Sequence, residues 1–246
     1  MTASIKKRWV IPDVHGCVNT LKALIEERIK PTRYDELYFL GDYIDRGPDS
    51  RGVIDFIRHL QEDEYTVTAL KGNHEDFVVE LYDAELYSKK PWFFHFASRK
   101  WKSWISIGGK ETLKSFGIKT AQEIPLEYIE WMRNLGYFVI LENYVLVHAG
   151  LNFSGDDPFE DKQSMLWLRD YKIVPEMINN RKIIHGHVPV NLQLIDLSIK
   201  NNICNFIDLD NGPYITGKDG YGNLVALELT EMRMVIQDNR DYQLMS

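Results

Sequence analysis

The chain has little cysteine, no long apolar run and no excess of positive charge. Its 246 residues include only Cys17 and Cys204, too few for a disulfide framework, so a reducing cytoplasm is the expected location. No apolar stretch approaches the ~20 residues of a membrane-spanning helix, and residues 1–8 lack the apolar segment of a signal peptide. With 29 Lys and Arg against 36 Asp and Glu, the net charge is −7, which argues against broad nucleic-acid binding. Neither a membrane nor nucleic acid is therefore expected as a partner.

The remaining composition is that of a globular protein. Hydrophobic residues make up 44% of the chain and charged residues 26%, so the chain can bury a core. No repeat, low-complexity tract or Ser/Gly-rich linker divides the sequence. We therefore predict one domain over residues 1–246, with an aromatic-rich helical insertion at about residues 77–125.

The first half of the chain alternates predicted strands with predicted helices. Short apolar runs indicate strands, and apolar positions spaced three or four apart indicate helices with one buried face. Ser50 is predicted to cap the second helix. This alternation favours a parallel sheet with helices packed on it. The predicted strands are 8–11, 37–40 and 66–70, and the predicted helices are 19–29, 53–60 and 75–87.

The second half of the chain is richer in strands. Residues 137–141 and 144–147 flank Glu142-Asn143 and are predicted to form a hairpin. Residues 182–184, 203–208 and 224–229 are predicted as further strands. The fold class is therefore α/β, beginning with parallel units, ending with antiparallel strands and arranged as two packed sheets. The order of the strands does not follow from these patterns.

A dense aromatic cluster lies within residues 91–104. The more ordinary interpretation is a small satellite core beneath a helical excursion. The alternative is a wall of a substrate groove, which needs some of the rings to be exposed. The cluster consists of Trp92, Phe93, Phe94, Phe96, Trp101 and Trp104.

Side chains of the kind that bind metals follow five predicted strands. Each motif alone is also typical of a turn or of a buried histidine, but loops at the carboxyl ends of strands converge on one crevice. Carboxylates, an amide and imidazoles suit hard-to-borderline divalent ions, and two ions sharing one carboxylate hydrolyse phosphate esters. The side chains are Asp13, His15, Asp42, Asn73, His148 and one histidine of His185-Gly186-His187.

The order of these motifs resembles that of the phosphoprotein phosphatase (PPP) family of metallophosphoesterases, and in particular its compact bacterial and phage members. The resemblance spans the chain and implies the calcineurin-like fold, an αββα sandwich of two packed mixed sheets flanked by helices. Pro12 departs from the family pattern, which usually has glycine there, but this position is not a ligand. The matching segments are Asp13-Val-His15-Gly, Gly41-Asp-Tyr-Ile-Asp45-Arg-Gly, Gly72-Asn-His-Glu75, His148-Ala-Gly, Gly186-His187 and residues 207–212.

The resemblance implies a set of metal ligands. It assigns two divalent ions, for which manganese is expected and iron or zinc are alternatives. His185 lies outside the implied ligand position and is predicted either to support a neighbouring ligand or to be structural, and His59 and His95 match no motif. One ion would be held by Asp13, His15 and Asp42, and the second by Asp42 as a bridge together with Asn73, His148 and His187.

The implied chemistry is in-line attack on phosphorus by a hydroxide that the two metals generate, without a covalent enzyme intermediate. His74 is predicted to be the general acid, with Asp45 holding its ring. Arg46 is predicted to clamp the phosphate with its guanidinium fork, and Arg169 and Asn73 are predicted to bind it as well.

Three functional hypotheses follow. The first is a serine/threonine protein phosphatase, with phosphotyrosine as a further substrate and a phosphoprotein or phosphopeptide as partner. The alternative is a hydrolase of dinucleoside polyphosphates such as diadenosine tetraphosphate. Relatives with that activity tend to carry aspartate after the Asn-His pair, where this chain has Glu75. A catalytically silent phosphate-binding module is disfavoured, because every expected ligand and the general acid are present.

Overall fold

The structure is a computed structural model that describes residues 6–86, 91–201 and 203–242, and for residues 91–97 the backbone only. The described strands are β1 (Arg8–Ile11), β2 (Glu36–Phe39), β3 (Thr66–Ala69), β4 (Phe138–Ile140), β5 (Tyr144–Val147), β6 (Lys182–His185), β7 (Phe206–Asp208), β8 (Asn223–Glu228) and β9 (Arg233–Asp238). The described α-helices are α1 (Val18–Ala23), α2 (Ser50–Glu62), α3 (Asn73–Leu86), α4 (Pro91–Trp104), α5 (Lys110–Phe116), α6 (Leu126–Arg133), α7 (Lys162–Trp167) and α8 (Leu192–Lys200). Helix α1 continues as a π-helix over Leu24–Ile29, and a second π-helix spans Ile105–Gly109.

The strands form two mixed sheets. The first sheet has five strands in the order β3-β2-β1-β8-β9, in which β1, β2 and β3 are parallel and β8 and β9 are antiparallel. The second sheet has four strands in the order β4-β5-β6-β7. In it β4 and β5 form the predicted antiparallel hairpin, closed by Leu141 N–H donating to Tyr144 O at 2.8 Å, and β5, β6 and β7 are parallel.

Alternate residues of each sheet pack on opposite faces, because successive side chains of a strand point to opposite sides. Val10 of β1 and Leu146 of β5 belong to one core that the two sheets share. Trp9 packs into a second core with helices α1, α2 and α3, and Val145 packs into a third with Met165 of α7. The predicted α/β fold of two packed mixed sheets flanked by helices is confirmed.

Two predictions at the ends of elements are wrong. Helix α2 is capped by Asp49, whose carboxylate accepts from Gly52 N–H, whereas the Ser50 hydroxyl accepts from Asp45 N–H at 2.9 Å. The strand predicted from residue 203 begins only at Phe206. The Asn201 side chain accepts from the amides of Ile203 and Cys204 and thereby holds a turn there. Helix α8 and the edge strand β9 were not among the predicted elements.

The aromatic cluster is described only in part. Trp104 is fully buried, and Trp101 packs partly buried against the same core, 5.7 Å away between ring centroids. The side chains of Trp92, Phe93, Phe94 and Phe96, and of His95, lie outside the described residues. The single domain with an insertion at about residues 77–125 stays a prediction. Over the described ranges, no helix combines the length and apolar character needed to cross a membrane.

Candidate metal centre

Loops at the carboxyl ends of both sheets bring the predicted site residues together. Several of these residues adopt positive φ, a conformation that costs a non-glycine residue about 1–3 kcal/mol and clusters at functional sites. They are His15 (46°), Asp42 (54°), Asp45 (70°), Arg46 (66°) and His187 (75°). The side chains of Asp13, His15, Asp42, Asp45, Asn73, His74, His148 and His187 are all buried.

Asp42 occupies the middle of the cluster. Its Oδ2 lies 3.5 Å from His15 Nε2, 3.8 Å from His74 Nε2 and 3.6 Å from His148 Nε2. Burial alone would raise the pKa of this carboxyl, but the histidines and Arg46 hold it well below its usual range. Asp42 is therefore an anion with ring nitrogens on several sides, which is the position that a bridging ligand needs.

Several lone pairs meet around Asn73. Its Oδ1 lies 2.9 Å from His148 Nε2 and 3.0 Å from His187 Nδ1. His148 Nδ1 faces Leu40 O at 3.1 Å, so Nδ1 carries the hydrogen of the neutral ring and Nε2 presents a lone pair. Burial lowers the pKa of His148, and burial is also the main cause that lowers the pKa of His187 to about 3. Neutral acceptors that face one another at these distances fit a shared cation.

Around Asp13, too, buried acceptor atoms lie close to one another. His15 Nδ1 donates to Ile44 O at 2.8 Å, which leaves Nε2 as an acceptor 3.9 Å from Asp13 Oδ2. The Asp13 carboxylate accepts from His187 N–H at 3.1 Å. Burial raises the pKa of Asp13, and so do the charges of Asp210 and Asp42. A cation beside Asp13 would remove the cost of burying this negative charge.

The donor set fits two divalent cations. One group of possible ligand atoms, within 4.8 Å of one another, comes from Asp42, His148 and His187. Another comes from His15, Asp42 and His74, so the geometry places His74 in the group to which the resemblance assigns Asp13. Carboxylate, amide and imidazole ligands suit manganese, iron and zinc alike. The individual ligand assignments stay predictions.

His74 and Asp45 form a closely bonded pair. His74 Nδ1 lies 2.6 Å from Asp45 Oδ2, and the same carboxylate accepts from Thr112 Oγ1 at 2.5 Å and Trp104 Nε1 at 3.0 Å. Burial disfavours a charged His74, but the Asp42 charge and the bond to Asp45 outweigh burial and raise its pKa. Asp45 is thus held in place by side chains that the sequence motifs did not indicate. Trp104 is both a core residue and a donor to the site.

Glu75 organises the backbone beneath the site. Its buried carboxylate accepts from the amides of Asp42, Tyr43, Ile44 and Gly72 at 2.8–3.3 Å. Burial and the charge of Asp42 raise its pKa to about 7. The prediction that Glu75 supports neighbouring groups is confirmed, because these bonds fix the loop that carries Asp42.

Arg46 reaches into the cluster and is braced by Tyr214. Its Nη1 donates to Tyr214 Oη at 2.7 Å and to His15 Nε2 at 2.8 Å, and its Nη2 lies 3.1 Å from His74 Nε2. The guanidinium carbon lies 4.6 Å from the centroid of the Tyr214 ring. Tyr214 was not predicted, although it follows the recognised segment 207–212 by two residues.

Asp210 lies in the matching segment 207–212, but no role was predicted for it. One carboxyl oxygen accepts from Gly212 N–H at 2.7 Å, and the other is buried with no hydrogen-bond partner among the described residues. Burial raises its pKa to about 7. It lies close enough to Asp13 for its charge to raise the pKa of that residue.

The remaining predicted residues lie at the margin or elsewhere. Arg169 is exposed and has no hydrogen bond or ion pair with the described part of the chain, but its charge helps to lower the pKa of His187. His185 packs against the rings of Tyr171 and Phe206 instead of the Asp42 cluster. His59 lies exposed on α2, beside acidic groups of the same turn.

Known proteins share both the sequence pattern and the fold. The family model described as Calcineurin-like phosphoesterase matches residues 6–217. The chain is 44% identical over 73 residues to the serine/threonine-protein phosphatase 1 of Salmonella typhimurium, covering 29% of this chain and 31% of that protein. It is 36% identical over 152 residues to the symmetrical bis(5'-nucleosyl)-tetraphosphatase of Pectobacterium carotovorum, covering 61% of this chain and 45% of that protein. The matched region thus spans less than half the length of each of these curated relatives.

A solved structure extends the likeness to the whole fold. A protein serine/threonine phosphatase from Saccharomyces cerevisiae superposes with a TM-score of 0.63 at 16% identity, covering 96% of this chain and 81% of that chain. At this identity the likeness shows the fold alone.

Proposed function

The chain belongs to the calcineurin-like phosphoesterase family and is a metal-binding phosphoesterase, and we propose that it transfers a phosphoryl group from an ester directly to water. The observation that carries the proposal is the meeting of buried acceptors around Asp42, next to the Arg46 guanidinium and the His74–Asp45 pair. Acceptors alone suit a cation, whereas a cation site beside a guanidinium and an acid suits a phosphoryl group.

The residues divide into metal ligands and groups that act on substrate. When bound, two divalent ions supply a nucleophile at neutral pH and neutralise charge on the phosphoryl oxygens. Asp42 belongs to both groups of possible ligand atoms and would bridge the two ions when they are bound. Mn²⁺ is the first ion to test, with iron and zinc as alternatives. The proposed ligands are Asp13, His15 and Asp42 for one ion and Asp42, Asn73, His148 and His187 for the other.

Arg46 binds the phosphoryl group. Its guanidinium offers a planar fork to two oxygens and stays charged at every relevant pH. The bond to Tyr214 Oη fixes one end of that fork in advance, which lowers the entropy lost on binding. Asn73 faces the same space, and Arg169 adds a second positive charge at the exposed margin.

His74 protonates the leaving oxygen. The bond from Nδ1 to Asp45 orients the ring so that Nε2 faces the site, and the negative charges around it favour the protonated form. The Asp45 carboxyl group holds the ring in place through this contact. Loss of this proton transfer should matter most for esters whose leaving groups are poor.

Two substrate classes are candidates. Phosphoserine and phosphothreonine proteins are supported by the likeness to the Salmonella typhimurium phosphatase, and dinucleoside polyphosphates by the likeness to the Pectobacterium tetraphosphatase. Glu75 does not distinguish between the two substrate classes, because its carboxylate accepts hydrogen bonds from backbone amides below the site. A cavity beside the metal centre favours the second class and is described in the next section.

The test is hydrolysis of p-nitrophenyl phosphate by chelator-stripped protein, with and without Mn²⁺. We expect the stripped protein to be inactive and Mn²⁺ to restore turnover, whereas the Asp42→Asn variant should not recover at the same concentration. Absence of turnover with Mn²⁺, Fe²⁺ and Zn²⁺ would overturn the proposal and favour a silent phosphate-binding module.

A further inference from the structure

A cavity lies beside the metal centre, and apart from Arg169 none of its lining residues takes part in the proposed hydrolysis. Its volume is about 290 Å³. We call it the Phe206 cavity. It is lined by Leu168, Arg169, Asp170, Tyr171, Ile173, His185, Gly186, Val188, Val190, Phe206 and Asp208.

The walls of the Phe206 cavity are mainly ring faces and aliphatic side chains. The His185 ring lies 5.6 Å from the Phe206 ring, tilted by 36°, and 6.4 Å from the Tyr171 ring. Phe206 lines the cavity and keeps 40% of its surface exposed. Aromatic rings that line a small cavity suit a flat ligand ring, because a flat ring stacks on them.

The polar groups of the Phe206 cavity lie at separate places. One carboxyl oxygen of Asp208 accepts from Asp210 N–H at 3.1 Å, and no described residue bonds to the other oxygen. A ligand in the cavity therefore needs a polar atom for Asp208, or that group stays unpaired. Arg169 lines the cavity as an exposed positive charge.

Gly186 connects the Phe206 cavity to the metal centre. Gly186 lines the cavity, and a Cβ added to it would lie 2.2 Å from Asp13 Oδ1 on the other side. Its N–H donates to His148 O at 2.9 Å, and His187 follows it in the chain. A ligand with a phosphate at the metal centre can therefore place a neighbouring ring in the cavity.

Resting on the proposed function, we infer that the Phe206 cavity is a nucleobase subsite and that the substrate is a nucleotide of the dinucleoside polyphosphate class. The volume lies just below the ~300–1,000 Å³ of pockets for drug-sized ligands, so it suits one ring system and not a peptide segment. A nucleobase stacks on aromatic faces and also carries nitrogen atoms for Asp208. An aliphatic side chain of a phosphoprotein would fill the apolar part but leave Asp208 unpaired.

The experiment compares Phe206→Ala with Ile203→Ala, which removes an apolar side chain that is 89% exposed and does not line the cavity. Both variants and the unmodified protein are loaded with Mn²⁺ and assayed on diadenosine tetraphosphate and on a phosphoserine peptide without aromatic residues. We expect Phe206→Ala to raise KM for the nucleotide about tenfold, as loss of one base stack predicts, and to leave the peptide unaffected. Ile203→Ala should change neither substrate.

A binding measurement separates this inference from the proposed function. Adenosine, which has no phosphate, is titrated into the metal-free protein and followed by NMR, and we expect saturable shifts that Phe206→Ala abolishes. If neither adenosine binding nor the nucleotide KM depends on Phe206, the nucleobase subsite is wrong even where p-nitrophenyl phosphate is hydrolysed. An equal rise in KM for a phosphopeptide that carries an aromatic residue would instead assign the cavity to a peptide side chain. If no substrate is turned over but adenosine still binds, the proposed function fails and the subsite stands.

Discussion

The two sheets contribute opposite kinds of structure to the site. The first-sheet side, residues 13–15, 42–46 and 73–75, consists of buried groups bonded to one another or to the backbone, such as the Asp45 carboxylate with its three donors. The second-sheet side, residues 148, 169, 185–187 and 206–208, includes a polar atom without a hydrogen-bond partner and an exposed aromatic side chain. There His187 Nε2 has no partner among the described residues and Phe206 is 40% exposed. The first-sheet side is preorganised for chemistry, and the second-sheet side is open for recognition.

The backbone shows the same contrast. Four of the five site residues at positive φ, His15, Asp42, Asp45 and Arg46, lie on the first-sheet side, and His187 lies on the other. Such strain persists only where surrounding bonds over-determine the conformation. On the first-sheet side the Glu75 carboxylate provides those bonds, which implies that its removal should affect folding as well as activity.

The strongest test of this contrast is Glu75→Ala. Each buried amide that loses its acceptor costs about 1–3 kcal/mol, so loss of the four bonds should lower the free energy of unfolding by at least about 4 kcal/mol. Glu62→Ala, at a side chain 69% exposed on α2, should change it by less than about 0.5 kcal/mol. Urea unfolding of the metal-free proteins measures both. Equal, small changes in the two variants would mean that the loop does not depend on Glu75.

Asp42→Asn should have the next largest effect. It removes the anion that lies within 3.5–3.8 Å of three histidine nitrogens, and breaking a buried charge cluster costs about 3–5 kcal/mol. That is roughly a 10²–10⁴-fold loss of metal affinity, expected at both sites. Metal analysis and calorimetric titration with Mn²⁺ measure it, with Asp63→Asn on the surface as control. Two ions per chain at unchanged affinity would contradict the bridging role.

His74→Asn should act on the rate and leave metal binding intact. Removal of a general acid slows reactions by about 10²–10⁴-fold, and the loss should be greater for phenyl phosphate than for p-nitrophenyl phosphate, whose leaving group needs less protonation. His59→Asn, at an exposed histidine, is the matched control. An equal loss for both esters would remove the general-acid role. Loss of a metal ion in this variant would make His74 a ligand, which its place near His15 and Asp42 allows.

The sequence predicted the side chains at the strand ends because parallel strands deliver their following loops to one edge. The regular strands β1, β3 and β5 therefore sufficed to bring Asp13, Asn73 and His148 together before any contact was known. The fold could be predicted for the same reason: alternation and apolar runs are local, and they determine which faces are buried.

Contacts between residues that lie far apart in the sequence could not be predicted. Thr112 bonds to Asp45 across 67 residues and Tyr214 bonds to Arg46 across 168, and neither has a local pattern that indicates a partner. Helix α2 is capped by Asp49 and not by its neighbour Ser50, because the Ser50 hydroxyl accepts a hydrogen bond from the Asp45 amide. Both residues are good caps in isolation. Only the folded loop decides between them.

The two arginines give the smallest and finest test of the comparison between the sheets. Arg46 is bonded to Tyr214, His15 and His74, so its guanidinium is positioned before substrate arrives. A charged hydrogen bond contributes about 1.5–3 kcal/mol, so Arg46→Ala should lower kcat/KM by roughly 10–150-fold, mostly in kcat. Arg169 is exposed and without a bonded partner among the described residues, so solvent screens it, and Arg169→Ala should raise KM less than about tenfold with kcat unchanged.

Steady-state kinetics on one phosphopeptide and on diadenosine tetraphosphate, with Mn²⁺ saturating, separate kcat from KM for both variants. Arg28→Ala, which removes an exposed guanidinium from the first π-helix, is the control for loss of a charge alone. If Arg169→Ala lowers kcat as far as Arg46→Ala does, the second-sheet side takes part in the chemical step. The division between a preorganised side and a recognition side would then be wrong. If the Arg169 effect appears only with the nucleotide, recognition on that side is tied to the polyphosphate chain next to the Phe206 cavity.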